Sequence, residues 1–131
     1  MTLKPEQFLN NGKVFIWKEV FAVIKSKRFY PDAYANIRDK NELTVIIDQK
    51  KYDEKEVIEI EKDWRLLTFD MVLPFELVGF MAAVSTVLAD AKVSIFAVSG
   101  YSTDHILVKN KDLTKASKVL EKLGCVVKYY D

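Results

Sequence analysis

The sequence predicts an α+β fold with antiparallel sheets and with helices on one face. Strand-like segments rich in aromatic and β-branched residues alternate with two helical segments in the second half of the 131-residue chain. Their order is βαββαβ, which is the split-βαβ, ferredoxin-like plan. Half of the residues are hydrophobic, so the chain can bury a core as one domain or as two small ones.

The first half of the chain combines a short helical turn with strands. Residues 3–11 predict the turn, which stops at Gly12. Residues 14–24 predict a strand, either whole or broken near Lys18 and Glu19. The remaining segments are a turn at Pro31 and Asp32, hairpin strands at 34–38 and 43–47, and a short helix or polar connection at 52–59.

The second half is more regular. Its predicted strands are 66–73, 93–101, 105–109 and 125–130, and its predicted helices are 75–91 and 113–123. The second helix follows from apolar residues whose spacing places them on one face, namely Leu113, Ala116, Val119, Leu120 and Leu123. In the ferredoxin-like plan the strand order is 4-1-3-2, so strand 93–101 is expected at an edge of the sheet.

That predicted edge has neither a charge nor a proline, the features that usually protect an exposed strand. We therefore expect it to be paired, either with a strand of the N-terminal half or with the same strand of a second subunit. The helix at 75–91 is also apolar nearly all round, since Ser85 and Thr86 are the only polar side chains between Leu77 and Ala89. A cover on both of its sides is expected, from within the domain or from a partner.

Composition excludes several classes of partner. With 20 basic and 19 acidic residues, the net charge of +1 predicts no general attraction to nucleic acid or to an anionic membrane. The basic residues 25–28, KSKR, are interpreted as a solvated strand end because the sequence shows no wider basic face. The N-terminus lacks the apolar core of a signal peptide, and the apolar stretch 72–89 is too interrupted to span a bilayer. A cytoplasmic protein is expected.

The sequence offers no catalytic or metal-binding constellation. Asp104 and His105 are neighbours on a predicted strand, where successive side chains point to opposite faces, so they are not expected to form an acid–base pair. Cys125 is the single cysteine and is expected to be an inert buried thiol. There is one histidine and no glycine-rich phosphate motif, so no metal, no cofactor and no enzymatic activity are predicted.

Three stretches resemble an ACT domain: KDWRLLTF at 62–69, LPFELVGFMAAVSTVLADAKVSIFAVSGYSTDHILVKNKDL at 73–113, and LEKLG at 120–124. The closer likeness is to bacterial tandem-ACT proteins related to the CASTOR arginine sensors. FAVIKSK and ELTVIID are similar to the degenerate first half of that family, which keeps hairpin strands and lacks one helix. The resemblance implies a degenerate ACT-like half at 1–62 and an ACT domain at 63–131.

The resemblance also implies a small-molecule effector, such as an amino acid, bound at the interface of ACT units. One wall is the opening of the first helix, at Val78, Gly79 and Phe80, and the other wall consists of Ser99, Gly100, Tyr101 and Asp104. Gly79 allows close approach to the backbone, and a helix start presents N–H groups to a carboxylate. Asp104 supplies a negative charge for an ammonium group. The alternatives are a packing role for Gly79 and a local turn bond for Asp104.

Departures from the arginine-sensor pattern bear on the ligand. Leu77 stands where those sensors have an acidic residue, Gly100 where a threonine is common, and Pro74 where the bacterial relatives often have aspartate. Each departure removes a polar group, so a smaller or more apolar amino acid fits the pattern as well as arginine does, and a protein that has lost the site and only mediates assembly is a further alternative. The prediction is a non-catalytic regulatory protein, with a homodimer as an expected assembly. The alternative is a structural interaction module that dimerises through the edge strand and the helix and binds no ligand.

Overall fold

The computed structural model describes residues 2–130. In chain order the elements are α1 Pro5–Leu9, β1 Lys13–Ser26, β2 Ala35–Arg38, β3 Leu43–Asp48, β4 Val57–Phe69, α2 Phe80–Asp90, β5 Ile95–Ser99, β6 Asp104–Lys109, α3 Leu113–Lys122 and β7 Val126–Tyr129. Single 3₁₀ turns precede β4, at Glu54–Glu56, and α3, at Asn110–Asp112. No helix within this range is long and apolar enough to cross a bilayer.

Contacts divide the chain into two compact units. The first unit combines the residues up to Lys18 with those from Arg65 onward, and the second is Glu19–Trp64. The long strands β1 and β4 therefore contribute residues to both units. The division into an ACT-like half at 1–62 and an ACT domain at 63–131 stays a prediction.

The first unit has the predicted α+β, ferredoxin-like fold. From the end of β4 the elements follow as βαββαβ, and β5 pairs with β6 antiparallel, with Ile95 opposite Val108. The strand order differs from 4-1-3-2, because β1 lies between β7 and β4. β1 pairs with β7 in parallel, with Lys13 opposite Val126. The inserted strand buries Val14 and Ile16 completely or nearly so, and this apolar alternation stabilises its central position.

One apolar core holds this unit together. The buried faces of α2 and α3 pack with the inner faces of the strands, through Phe69, Phe80, Val84, Leu88, Ile106 and Leu120 among others. The predicted apolar face of α3 is confirmed, since Leu113, Ala116 and Leu120 are buried while Lys115, Lys118 and Lys122 are exposed.

Helix α2 begins later than predicted and is covered on one side within the described residues. It starts at Phe80 rather than at residue 75, because Gly79 adopts a left-handed conformation with φ of 87°. Phe80, Val84 and Leu88 are buried, whereas Ala82, Thr86 and Ala89 are exposed. The expectation that something covers both sides of this helix is therefore not met inside residues 2–130.

The edge position of the strand at 93–101 is confirmed, and of its two expected partners, a strand of the N-terminal half is not found beside it. The strand β5 ends the sheet, and among the described residues no strand lies beyond it. A pairing with the same strand of a second subunit stays a prediction.

The second unit is an antiparallel sheet built on the predicted hairpin. β2 pairs with β3, and β3 pairs with β1, with Val45 opposite Ile24. Its core consists of Ala22, Ile24, Tyr30, Leu43, Val45 and Ile47. The strand β1 shows no break near Lys18, and the segment at 52–59 is a 3₁₀ turn followed by the start of β4.

Candidate functional site

A cavity of about 190 Å³ lies in the first unit, where the loop before α2 meets the turn between β5 and β6. A backbone hydrogen bond joins the two loops, since Leu73 N donates to Ser102 O at 2.7 Å, and the turn between β5 and β6 is closed by Gly100 N donating to Thr103 O at 2.8 Å. The lining consists of Leu73, Pro74, Phe75, Leu77, Phe80, Ser99, Gly100, Tyr101, Ser102 and Asp104.

Five of the seven predicted site residues line this cavity. They are Phe80, Ser99, Gly100, Tyr101 and Asp104. Val78 and Gly79 precede the helix immediately but are not part of the lining. The two predicted walls thus meet at one cavity, with the helix opening represented by Phe80, the first residue of α2.

Two exposed aromatic rings mark the mouth of the cavity. Phe75 and Tyr101 pack edge to face, with ring centroids 4.9 Å apart. They are nevertheless 74% and 83% exposed, and the neighbouring Val78 is 79% exposed. Large apolar side chains clustered in solvent are typical of a surface that binds a ligand or a partner. Phe80, in contrast, is a buried part of the lining and packs against Phe69.

The start of α2 is available for an anion. Gly79 is its N-cap residue and no side chain caps the helix, so the first N–H groups have no intrahelical partner. The helix dipole adds positive partial charge at this end. The left-handed backbone explains why glycine stands at position 79, because other residues rarely adopt a positive φ. Lack of space is not the reason, since an added Cβ would meet only Pro5 Cγ, at an ordinary contact distance of 3.8 Å.

Asp104 supplies the negative charge of the site. It is the first residue of β6, lies opposite Ser99 in the strand register and is half-buried. Among the described residues that line the cavity, it is the only charged one. A carboxylate beside an apolar wall and an uncapped helix start is the combination that suits an ammonium group, an apolar side chain and a carboxylate in one ligand.

His105 belongs to a separate hydrogen-bonded chain. The indole N–H of Trp17 donates to Thr68 Oγ1 at 2.8 Å, and Thr68 Oγ1 lies 2.9 Å from His105 Nδ1. Thr103 Oγ1 lies 3.2 Å from His105 Nε2, so each ring nitrogen has a hydroxyl within hydrogen-bond distance. Burial lowers the pKa of His105, and the adjacent Asp104 carboxylate partly opposes this. Asp104 lines the cavity, whereas His105 is not part of its lining and lies within hydrogen-bond distance of Thr68 and Thr103.

The other reactive groups are structural. Cys125 is buried, and burial raises the pKa of its thiol to about 11, which agrees with the predicted inert thiol. Residues 2–130 contain no group of three or more histidine, cysteine or acidic side chains placed to hold a metal ion.

Sequence reasoning missed half of the cavity lining. Leu73 is predicted to end a strand, Phe75 to begin a helix and Ser102 to form only the turn, while Pro74 and Leu77 enter the prediction only as departures from the arginine-sensor pattern. Two signals mark the loop: Pro74 disfavours a helical residue before it, and Gly79 suits the position just before a helix. The apolar character of the stretch outweighed both signals.

Comparisons with known proteins agree with this fold. Residues 59–122 match the ACT domain family. No curated protein sequence matches the chain significantly. Solved structures do: a protein from Agrobacterium tumefaciens has a TM-score of 0.79 and 20% identity, over 92% of this chain and 95% of that one.

Two further structures extend the likeness. A protein of unknown function from Vibrio cholerae has a TM-score of 0.74 and 21% identity, over 91% of this chain and 94% of that one. The ligand-free regulatory subunit of aspartate kinase from Thermus thermophilus has a TM-score of 0.61 and 8% identity, over 84% of this chain and 95% of that one. At these identities the structures show the fold. The chain thus has the ACT-type fold and contains, at residues 59–122, a segment that matches the ACT domain family.

Proposed function

We propose that this protein is a non-catalytic regulatory protein that binds an amino acid in the cavity beside the start of α2. The observation that carries the proposal is the single carboxylate, Asp104, on the same cavity as the uncapped first turn of α2. The match to the ACT family and the likeness to a regulatory subunit of aspartate kinase support a regulatory role. The relationship to the CASTOR arginine sensors, and a cytoplasmic location, are parts of this proposal.

The cavity favours a ligand with a small apolar side chain. Leu73, Leu77 and Phe80 supply an apolar wall, and the volume is about 190 Å³. Among the described lining residues there is one charge, and it is negative, so the carboxylate of the ligand depends on the N–H groups of α2. In the proposal, the exposed rings of Phe75 and Tyr101 are covered by a second ACT unit, which a second copy of the chain supplies.

The proposal is tested by a thermal-shift screen with the twenty amino acids, followed by calorimetry on Asp104→Asn. A ligand at a hundred times its dissociation constant stabilises the fold by about 2.7 kcal/mol. Loss of one charge-assisted bond costs about 1.5–3 kcal/mol, so Asp104→Asn should bind roughly ten- to a hundredfold more weakly.

The matched control is Asp90→Asn, which removes the same charge from an exposed position at the far end of α2. It should bind like the parent. Equal affinities for the parent and Asp104→Asn would remove Asp104 from the site. A larger loss in His105→Gln would show that the opposite face of β6 contacts the ligand.

A second candidate function rests on the open edge of β5 and on the exposed residues of α2. Small side chains at Ala82, Thr86 and Ala89 allow close approach of another helix, and β5 has an unpaired side within the described residues. In this alternative the protein is an interaction module that dimerises and binds no amino acid.

The molar mass of Thr86→Lys in solution, measured by light scattering, is compared with the result of the amino-acid screen to separate the amino-acid-binding regulator from the interaction module. Thr114→Lys makes the same change on the exposed side of α3 and serves as the control. A dimer that only Thr86→Lys dissociates, combined with no response to any amino acid, favours the interaction module.

A further inference from the structure

A second cavity, of about 370 Å³, lies in the unit formed by Glu19–Trp64, far in sequence from Asp104. The end of β1 and the turn between β2 and β3 form it, and Ile58 of β4 contributes an apolar side chain. Its lining includes four cations: Lys25, Lys27, Arg38 and Lys40.

The sheet brings these cations together. Lys25 pairs with Thr44 on β3, and Thr44 in turn pairs with Ile37 on β2, the residue before Arg38. The basic end of β1 therefore reaches the β2–β3 turn, where Arg38 and Lys40 lie. The sequence shows only the run KSKR at 25–28, and the structure supplies the wider basic face that this run lacked.

The charges at this cavity do not balance. Two carboxylates, Asp39 and Glu42, share the lining with the four cations. One oxygen of Asp39 is engaged in its own turn, since Asp39 Oδ1 accepts from Asn41 N at 2.7 Å and from Glu42 N at 3.0 Å. Within residues 2–130, no ion pair to a carboxylate joins any of the four cations. Clustered like charges repel one another, and a bound anion relieves that repulsion.

Arg28 is not part of the cluster, although it ends the KSKR run. Its guanidinium lies over the Tyr30 ring, 3.8 Å from the centroid, and its Nη1 donates to Phe29 O at 3.2 Å. The run thus divides into Lys25 and Lys27, which line the cavity, and an arginine that stabilises the neighbouring turn.

We infer that this cavity binds a phosphorylated small molecule with an apolar moiety. Four cations without ion-pair partners suit an anion that carries two charges better than a single carboxylate. The forked guanidinium of Arg38 and the mobile ammonium groups of the lysines are the donors that bind phosphate oxygens. Ile58 is 51% exposed beside them and provides a surface for the apolar moiety.

The test is calorimetry of the full chain with phenyl phosphate and with inorganic phosphate at low ionic strength. Phenyl phosphate should bind saturably and more tightly than inorganic phosphate, because its ring covers Ile58. The double variant Lys25→Gln/Lys27→Gln should weaken phenyl phosphate binding by about tenfold or more, since two charge-assisted contacts are lost.

The double variant Lys50→Gln/Lys51→Gln is the matched control. It removes the same charge from two exposed lysines outside the cavity and should change the affinity by less than about twofold. Circular dichroism on both variants checks that the fold is intact. The inference is overturned if phenyl phosphate does not bind saturably, if both double variants lose affinity equally, or if only a long polyanion such as an oligothymidylate binds. A failed amino-acid screen leaves this result unaffected, because the two sites share no residue.

Discussion

Replacing Val84 with aspartate tests the packing of α2 most directly. Val84 has 0% exposure and lies in the middle of the buried face, between Phe80 and Leu88. An aspartate there has to be protonated in order to stay buried, which costs about 4 kcal/mol at pH 7 from an ordinary pKa of about 3.9. An unpartnered neutral carboxyl adds about 1–3 kcal/mol. The expected loss of roughly 6 kcal/mol is comparable to the whole stability of many domains, about 5–15 kcal/mol.

The assay is urea denaturation followed by circular dichroism at several pH values. The buried carboxyl has a folded-state pKa raised above its unfolded value. The penalty is therefore largest above the folded pKa, and it shrinks by about 1.4 kcal/mol per pH unit as the pH falls towards the unfolded pKa. Val84→Asp should accordingly recover stability relative to the parent under mildly acidic conditions.

Thr114→Asp places the same carboxylate at an exposed position on α3 and should stay within about 0.5 kcal/mol of the parent. If Val84→Asp matched this control, the buried face of α2 would be assigned wrongly. Should Val84→Asp not fold at all, Val84→Ala provides the measurable variant. It loses two buried methyl groups and should lose about 2 kcal/mol, whereas no loss would contradict the packing.

Three further predictions concern single residues. Gly79→Ala should lower the free energy of unfolding by about 1–2 kcal/mol in urea denaturation, because alanine is strained at a φ of 87°. A steric clash does not contribute, since the space for a Cβ is open, and an unchanged urea midpoint would contradict the prediction. The pKa of His105 is lowered on folding, so the unfolded state binds more protons, and stability should fall as the pH drops below the ordinary value of 6.5. The melting temperature of His105→Gln should therefore change less than that of the parent between about pH 7.5 and about pH 5.5. An equal pH dependence in both proteins would show that folding does not lower the pKa of His105. Cys125, with a thiol pKa of about 11, should react with iodoacetamide at neutral pH only as fast as the protein unfolds, and rapid labelling of the folded protein would show an accessible thiolate.

The sequence alone predicts the elements that depend on local pattern. The apolar spacing of α3 is one example: a period of 3.6 residues places Leu113, Ala116 and Leu120 on one side, and all three are buried. The hairpin of β2 and β3 is another, because Asp39 engages the turn with its own side chain.

The boundaries of α2 and β4 depend on competing local signals. The left-handed backbone at Gly79 sets the start of α2, against an apolar stretch that favours an earlier start. The first part of β4 carries charged residues such as Glu59 and Lys62, which hide the strand in a hydrophobicity pattern. Its backbone is nevertheless hydrogen-bonded to β1 in the sheet. Strand pairing satisfies backbone groups whatever the exposed side chains are.

For the candidate site, the sequence determined which residue types stand at the β5–β6 turn and at the helix opening. Five of the seven named residues line the cavity, and Leu73, Pro74, Phe75 and Leu77 join them from the loop that Leu73 N ties to Ser102 O. The tertiary structure alone decided that β1 lies between β7 and β4, and that Lys25 lies near Arg38. The physical reason is that these contacts join residues distant in the chain. Their pairing depends on which apolar faces pack best in the whole fold, and a one-residue change of register would separate them.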